Sequence, residues 1–153
     1  MTRRLIGALA TITTLLLSGC GNDYGVDQYG QKVAAERLDK QWLVVNYWAE
    51  WCGPCRTEIP ELNALAEQLK GQNVGVFGVN FDNVQGEELK AASDKLGIKF
   101  TVLAQNPDGI FEIPRSEALP VTYIIDDKGK VREQLMGEQT AEGVLAKLKA
   151  LKG

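Results

Sequence analysis

The 153-residue chain contains no histidine. That absence excludes His-based general acid–base catalysis, Cys-His nucleophile pairs and imidazole ligation of zinc, copper or haem. Cysteine is scarce, with three residues, and methionine scarcer, with two. Arg56 follows the Cys52/Cys55 pair, so the Cys-X-X-Cys-His haem attachment is missing. No second cysteine pair exists to complete a zinc site within one chain. No metal or cofactor is expected, and a copper carrier is disfavoured by the missing His and few Met. An excess of base is also lacking. Seventeen Lys and Arg face twenty Asp and Glu, for a net charge of −3, which argues against a nucleic-acid surface. The one long apolar run, Leu5 to Leu17, falls short of the roughly 20 residues of a membrane span.

That run has another reading. Thr2-Arg3-Arg4 supplies a positive n-region and Leu5 to Leu17 an apolar h-region, as in an export signal. Leu5-Ile6-Gly7 continues a twin-arginine motif poorly, so ordinary export is expected. Leu17-Ser18-Gly19-Cys20 resembles the lipobox of bacterial lipoprotein precursors, in which the cysteine is acylated and becomes the first mature residue. The expected organisation is a signal peptide over 1–19, a lipidated Cys20 with a flexible tether to residue 31, and one domain over 32–153. A tether of that length has an r.m.s. reach of about 15–20 Å. Gly21 rather than Asp after Cys20 favours the periplasmic side of an outer membrane over inner-membrane retention. Loss of Arg3 and Arg4 leaves the remainder more acidic.

Trp51-Cys52-Gly53-Pro54-Cys55 is the most informative segment. It follows an apolar strand-like run and precedes an amphipathic helix, which puts Cys52 at a helix N-terminus. Unpaired backbone N–H groups and the helix dipole favour an anion there. The relevant anion is a thiolate, whose pKa in such sites falls below the free value of about 8.5. Pro54 suits the first helical turn, where φ is near its fixed value and the N–H is unpaired anyway. A bridge closing so short a loop contributes little cross-linking entropy. A redox role is therefore expected over a structural one.

The rest of the chain alternates strands and helices. Trp42 to Trp48 is a near-continuous apolar run, expected as a strand buried on both faces. A helix should run from Cys52 to about Lys70, with Ile59, Leu62, Leu65 and Leu69 on one face and a kink at Pro60. Val74–Val79 and Phe100–Leu103 read as strands, Glu87–Leu96 as a helix stopping at Gly97, and Val33–Leu38 as a helical turn. Asn106-Pro107-Asp108-Gly109 is turn chemistry. Val121–Ile125 and Val131–Met136 flank Asp126-Asp127-Lys128-Gly129 as a hairpin. Thr140 caps a last helix carrying Val144, Leu145, Leu148 and Leu151. The pattern predicts a three-layer α/β domain, a central mixed sheet flanked by helices.

Val45 to Arg56 closely resembles the active-site segment of the thioredoxin superfamily. Thr57-Glu58-Ile59-Pro60 resembles the exported TlpA/ResA-type branch, and Leu119-Pro120 through Asp126 resembles that branch's cis-proline signature. The resemblance implies a thioredoxin-like fold and a role for each matching residue. Cys52 would attack, Cys55 would resolve the mixed disulfide, and Trp51 would offer partners an apolar platform. Pro120 would be cis beside the sulfurs. Cytosolic thioredoxins carry a buried Asp where this chain has Asn46. The TlpA/ResA branch instead offers a carboxylate three residues past the second cysteine, here Glu58, which i to i+3 spacing puts on the face of Cys55. A partly buried carboxyl there would have a raised pKa and could accept or return the Cys55 proton, the alternative being a first-turn acid favoured by the helix dipole. Leu119, a bulky residue before the proline, would contact partners. Asp82 reads as a turn residue, and the Phe111–Ser116 loop as a connector, with the lining of a partner groove as the alternative.

The implied activity is thiol–disulfide exchange on exported protein clients, in the reducing direction. The Gly-Pro dipeptide, without an intervening His, resembles reducing members. A membrane thiol-transfer donor of the DsbD/CcdA kind would recharge it, and apocytochrome c thiols are among the candidate clients. A disulfide-forming oxidant or isomerase and a non-catalytic binding lipoprotein are the competing readings. A monomer is the default.

Overall fold

The computed structural model describes residues 21–153. The signal peptide and Cys20 lie outside the described residues. Strand β1 (Trp42–Trp48) is buried at every position, as its unbroken apolar run requires. It pairs in parallel with β2 (Val74–Asn80) and antiparallel with β4 (Val121–Ile125). Strand β3 (Thr101–Leu103) extends the sheet beyond β2, and β5 (Val131–Met136) forms the far edge beside β4. The order β3-β2-β1-β4-β5 is a mixed five-stranded sheet, and the fold is thioredoxin-like.

Alternation along β1 divides the core. Trp42, Val44 and Trp48 face helices α1 (Gly53–Gln68), α2 (Gly86–Leu96) and α4 (Ala141–Lys152), whose Ile59, Leu62, Leu89, Val144 and Leu148 share that cluster. Leu43, Val45 and Tyr47 face the other way, into a cluster with Phe77, Tyr123 and Phe111. Parallel connections from β1 to β2 and from β2 to β3 run in one direction across the sheet. Right-handed crossovers therefore place α1 and α2 on the same face. Among the described residues no long helix covers the second face. It is covered by residues 24–38, including a 3₁₀ turn at Ala35–Arg37, and by a loop carrying the one-turn helix α3 (Asp108–Phe111).

Two expectations are modified. The stretch 21–31 reads by composition as a tether, yet Tyr24 and Gln28 are buried. Val26 bridges Lys32, Asp27 bridges Leu103, and the Gln28 side chain bonds the Phe100 carbonyl and the Val102 N–H. The uncovered sheet face and the open edge of β3 supply partners that polar composition does not reveal. The Asn106–Gly109 turn continues into α3, with Pro107 at its start. Helix α1 is assigned as one unbroken helix through Pro60, and α2 ends on Gly97 in the left-handed conformation.

The strand ends define two poles. β1 and β2 begin at one and end at the other, β3 runs the same way from the middle of the sheet, and Cys52 lies just past the end of β1. Seven residues of β1 at about 3.3 Å each set the poles roughly 20 Å apart.

Close packing at the sheet makes a testable point. A Cβ on Gly78 would lie 3.0 Å from Phe100, 3.0 Å from Trp48 Nε1 and 3.2 Å from Val102. Gly78→Ala should destabilise by about 1–3 kcal/mol through overpacking. Gly109→Ala, where a Cβ meets nothing within 4 Å, should stay within about 0.5 kcal/mol of the parent. Urea unfolding midpoints of the two variants check this.

Candidate active site

Cys52 is the N-cap of α1, in extended conformation, and Pro54 stands in the first turn. The Cys55 N–H donates to Cys52 Sγ at 3.2 Å, so a free backbone donor of the helix start already points at that sulfur. The two cysteines form a disulfide, with Cα atoms 5.3 Å apart. Cys55 is fully buried, whereas Cys52 keeps 4% exposure. Trp51, 63% exposed, stands beside the pair. Pro120 and Leu119 reach the same pole because β4 pairs Val121 with Tyr47 at the end of β1. The Leu119-Pro120 bond is cis, Pro120 is buried, and Leu119 is half-buried between both core clusters.

Glu58 lies one turn beyond Cys55 and is 1% exposed. Its Oε1 accepts from Asn46 Nδ2 at 2.6 Å and its Oε2 from the Gln139 N–H at 3.0 Å. Asn46 Nδ2 also reaches Thr122 Oγ1 at 3.0 Å. Burial dominates and pushes the Glu58 carboxyl up to about 7, with the nearby Glu138 charge adding to it. The Gln139 and Asn46 donors oppose that rise by favouring the ionised form. A group poised near neutrality can take and return a proton at physiological pH.

Other polar residues hold the surface of this pole. Asp82 Oδ2 accepts from Trp51 Nε1 at 2.8 Å, and Asn80 Oδ1 accepts from the Asp82 N–H at 3.0 Å. Arg56 Nε and Nη2 donate to the Glu50 carbonyl at 3.1 and 2.6 Å, so the guanidinium is tied to the loop. Glu50 pairs with Lys95. On the other sheet face a cleft of about 180 Å³ is lined by Tyr47, Phe81, Ile113, Pro114, Ser116 and Tyr123. Within the Phe111–Ser116 segment, residues Ile113 to Ser116 therefore form a cleft wall, while Phe111 packs in the core.

Sequence reasoning missed Asp82, the Gln139 backbone donor and the contact of Asn46 with Glu58. Asn46 had a usable signal. A lone amide in a strand buried on both faces must find a partner, and alternation puts it on the face of α1. Asp82 and Gln139 lie 31 and 81 residues from their partners and left no local signal. Among the described residues no cluster of His, Cys, Asp or Glu suits a metal ion.

The AhpC/TSA family profile matches residues 14–134. Thiol-disulfide oxidoreductase ResA of Bacillus anthracis is 31% identical over 125 residues, covering 82% of this chain and 72% of its own. The chain belongs to the thioredoxin superfamily and is of the ResA type. It is also similar to thioredoxin-like protein YneN of Bacillus subtilis, at 29% identity over 78% of this chain and 70% of that one. A thioredoxin-family thiol:disulfide interchange protein from Chlorobium tepidum TLS superposes with a TM-score of 0.69 at 25% identity, covering 84% of this chain and 92% of its own. The ResA-type chain is a thiol–disulfide oxidoreductase, and Cys52–Cys55 is its disulfide.

The raised Glu58 carboxyl has a stability consequence. Folding favours its protonated form, so its contribution is complete below the unfolded value of about 4.5 and is lost as pH rises through about 7. Between pH 5 and pH 8 oxidised wild-type protein should lose on the order of 2–3 kcal/mol that Glu58→Gln does not lose. Urea titrations at the two pH values read the difference. A parallel loss in both proteins would assign the effect elsewhere.

Asp82 yields a second expectation. Asp82→Ala releases the Trp51 indole, so exchange with a protein disulfide should slow several-fold while exchange with a small dithiol stays near the parent rate. Stopped-flow tryptophan fluorescence with both partners follows the two reactions.

Proposed function

We propose that this oxidoreductase is an exported, lipid-anchored reductase of disulfides in extracytoplasmic proteins, held to a membrane through acylated Cys20. One observation supports this most: a disulfide at a helix N-terminus with a buried carboxyl, titrating near 7, one turn below it. The lipobox sequence supports the anchor, and the Gly-Pro dipeptide supports the reducing direction.

In the reduced enzyme the Cys52 thiolate attacks one sulfur of a client disulfide. The client's second sulfur leaves as a thiolate and takes a proton from solvent. Glu58, as carboxylate, accepts the Cys55 proton, and the Cys55 thiolate attacks Cys52 Sγ in the mixed disulfide. The client leaves with both sulfurs reduced, and the enzyme retains the Cys52–Cys55 disulfide. Two electrons pass from enzyme to client. A dithiol donor of the DsbD/CcdA kind reverses the enzyme's half of the exchange. Trp51 and Leu119 present apolar surface to the client, and Pro120 sets the wall beside the sulfurs. Clients of cytochrome c maturation fit this scheme by family resemblance.

The Cys52–Cys55 reduction potential, equilibrated with glutathione or dithiothreitol at pH 7, tests the direction. A value near −270 mV, as in thioredoxin, is expected, whereas a value near −120 mV would make the protein an oxidant. Cys52→Ser should abolish exchange, and Cys55→Ser should accumulate mixed disulfides. Glu58→Gln should slow resolution on the order of 10²-fold and flatten its pH dependence around 7.

A further inference from the structure

The described chain is seated on the domain from its first residue. A Cβ on Gly21 would lie 3.4 Å from Ala35 Cβ and 3.7 Å from Asp39 Oδ2. Asn22 Nδ2 donates to Asp39 Oδ1 at 3.2 Å, and the buried Tyr24 hydroxyl donates to the same oxygen at 2.7 Å. Asp39 precedes β1 by three residues, and the Arg37 carbonyl packs at Gly75, near the start of β2. Gly21 therefore lies at the pole where the parallel strands begin. The disulfide lies at the pole where they end, on the order of 20 Å away by the length of β1. Cys20 is the residue before Gly21 in the chain.

Charge follows the same axis. The pole of Gly21 carries exposed Arg37, Lys40, Lys70, Lys128, Lys149 and Lys152. Lys70 follows the end of α1, and Lys149 lies beside Gln68 because α4 runs down alongside α1. Lys128 sits in the turn after Ile125, the partner of Leu43 at the start of β1. Asp23, Glu36, Asp39, Glu67 and Asp127 oppose them. Glu67 and Lys70 pair with each other. The disulfide pole is the reverse, with Glu50, Asp82, Glu88, Glu117 and Glu138 against Arg56, Lys95 and Arg115. A chain of net acidic charge thus presents a basic end where its anchor would emerge.

We propose that this basic pole is a seat for an anionic bilayer surface. The domain stands on the membrane without a tether, and the disulfide faces the aqueous compartment. The inference rests on acylation of Cys20. Lysines within a Debye length of an anionic surface are attracted to it, while the acidic pole is repelled. Exchange partners must then meet the sulfurs from the aqueous side, on soluble proteins or on domains projecting well clear of their own membrane.

The full chain, expressed with its leader and purified with any lipid attached, provides the test. Intact mass reports acylation of Cys20. The protein is placed in detergent, in phosphatidylcholine vesicles and in vesicles containing phosphatidylglycerol, and its lysines are acetylated and mapped. Lys40, Lys70 and Lys128 should label several-fold more slowly in the anionic vesicles than in detergent. Lys95, which pairs with Glu50 beside the sulfurs, should not change, and high salt or pure phosphatidylcholine should restore labelling. An acylated chain with uniform labelling, or with Lys95 protected instead, overturns the orientation and leaves the anchor standing. An unacylated Cys20 removes the anchor and the orientation together, leaving the redox chemistry untouched.

Discussion

Burial of β1 on both faces and along both edges is the constraint on which the molecule depends. Its seven residues lie between β2 and β4, under α1 on one side and under the 24–38 segment on the other. A strand so enclosed has no freedom to slip, since a shift of one residue would exchange its two faces. The chain leaves it at Trp48 and reaches the N-cap of α1 four residues later. The position of Cys52 is thus inherited from the most tightly determined element of the core. The same strand brings Leu119 and Pro120 to that end through its pairing with β4.

Glu58 shows how the core also accommodates chemistry. A carboxyl at 1% exposure would be costly alone. Here Asn46 from β1 and the Gln139 N–H from the β5–α4 connection meet its two oxygens. Two donors are enough to keep ionisation accessible but do not fully offset desolvation, which leaves the group near neutrality. The same contacts tie the sheet, α1 and the entry to α4 at one point. The proton transfer proposed for Glu58 would therefore draw on the same atoms that hold the fold.

The covering of the second sheet face has a wider consequence. On that face residues 24–38 and the α3 loop do the packing. Tyr24 stacks on Phe111, and the chain is fastened to the body at the end remote from the sulfurs. A short-tethered anchor and a membrane-bound donor acting on the same surface would be hard to reconcile. The orientation proposed above, with the sulfurs turned outward, would relieve that tension by assigning the two partners to different poles.

Most of the fold was legible because it rests on local periodicity. The unbroken run of β1, the spaced leucines of α1, the turn residues between β4 and β5, and Thr140 ahead of α4 each signal through neighbours in sequence. Cys52, Cys55 and Glu58 were legible for a related reason, since one helix start carries all three at fixed spacing. The packed 21–31 segment was not, because its polar composition conceals Tyr24 and Gln28, whose partners lie across an open sheet edge. Asp82 and Gln139 were likewise invisible, since contacts at long separation leave no periodic trace. The sequence by itself determined the elements, their order and the chemistry of the dithiol, all properties of short-range pattern. Only the tertiary structure decided what surrounds Glu58, what pins Trp51, and which pole receives the chain from Cys20, because those depend on distant segments meeting in space.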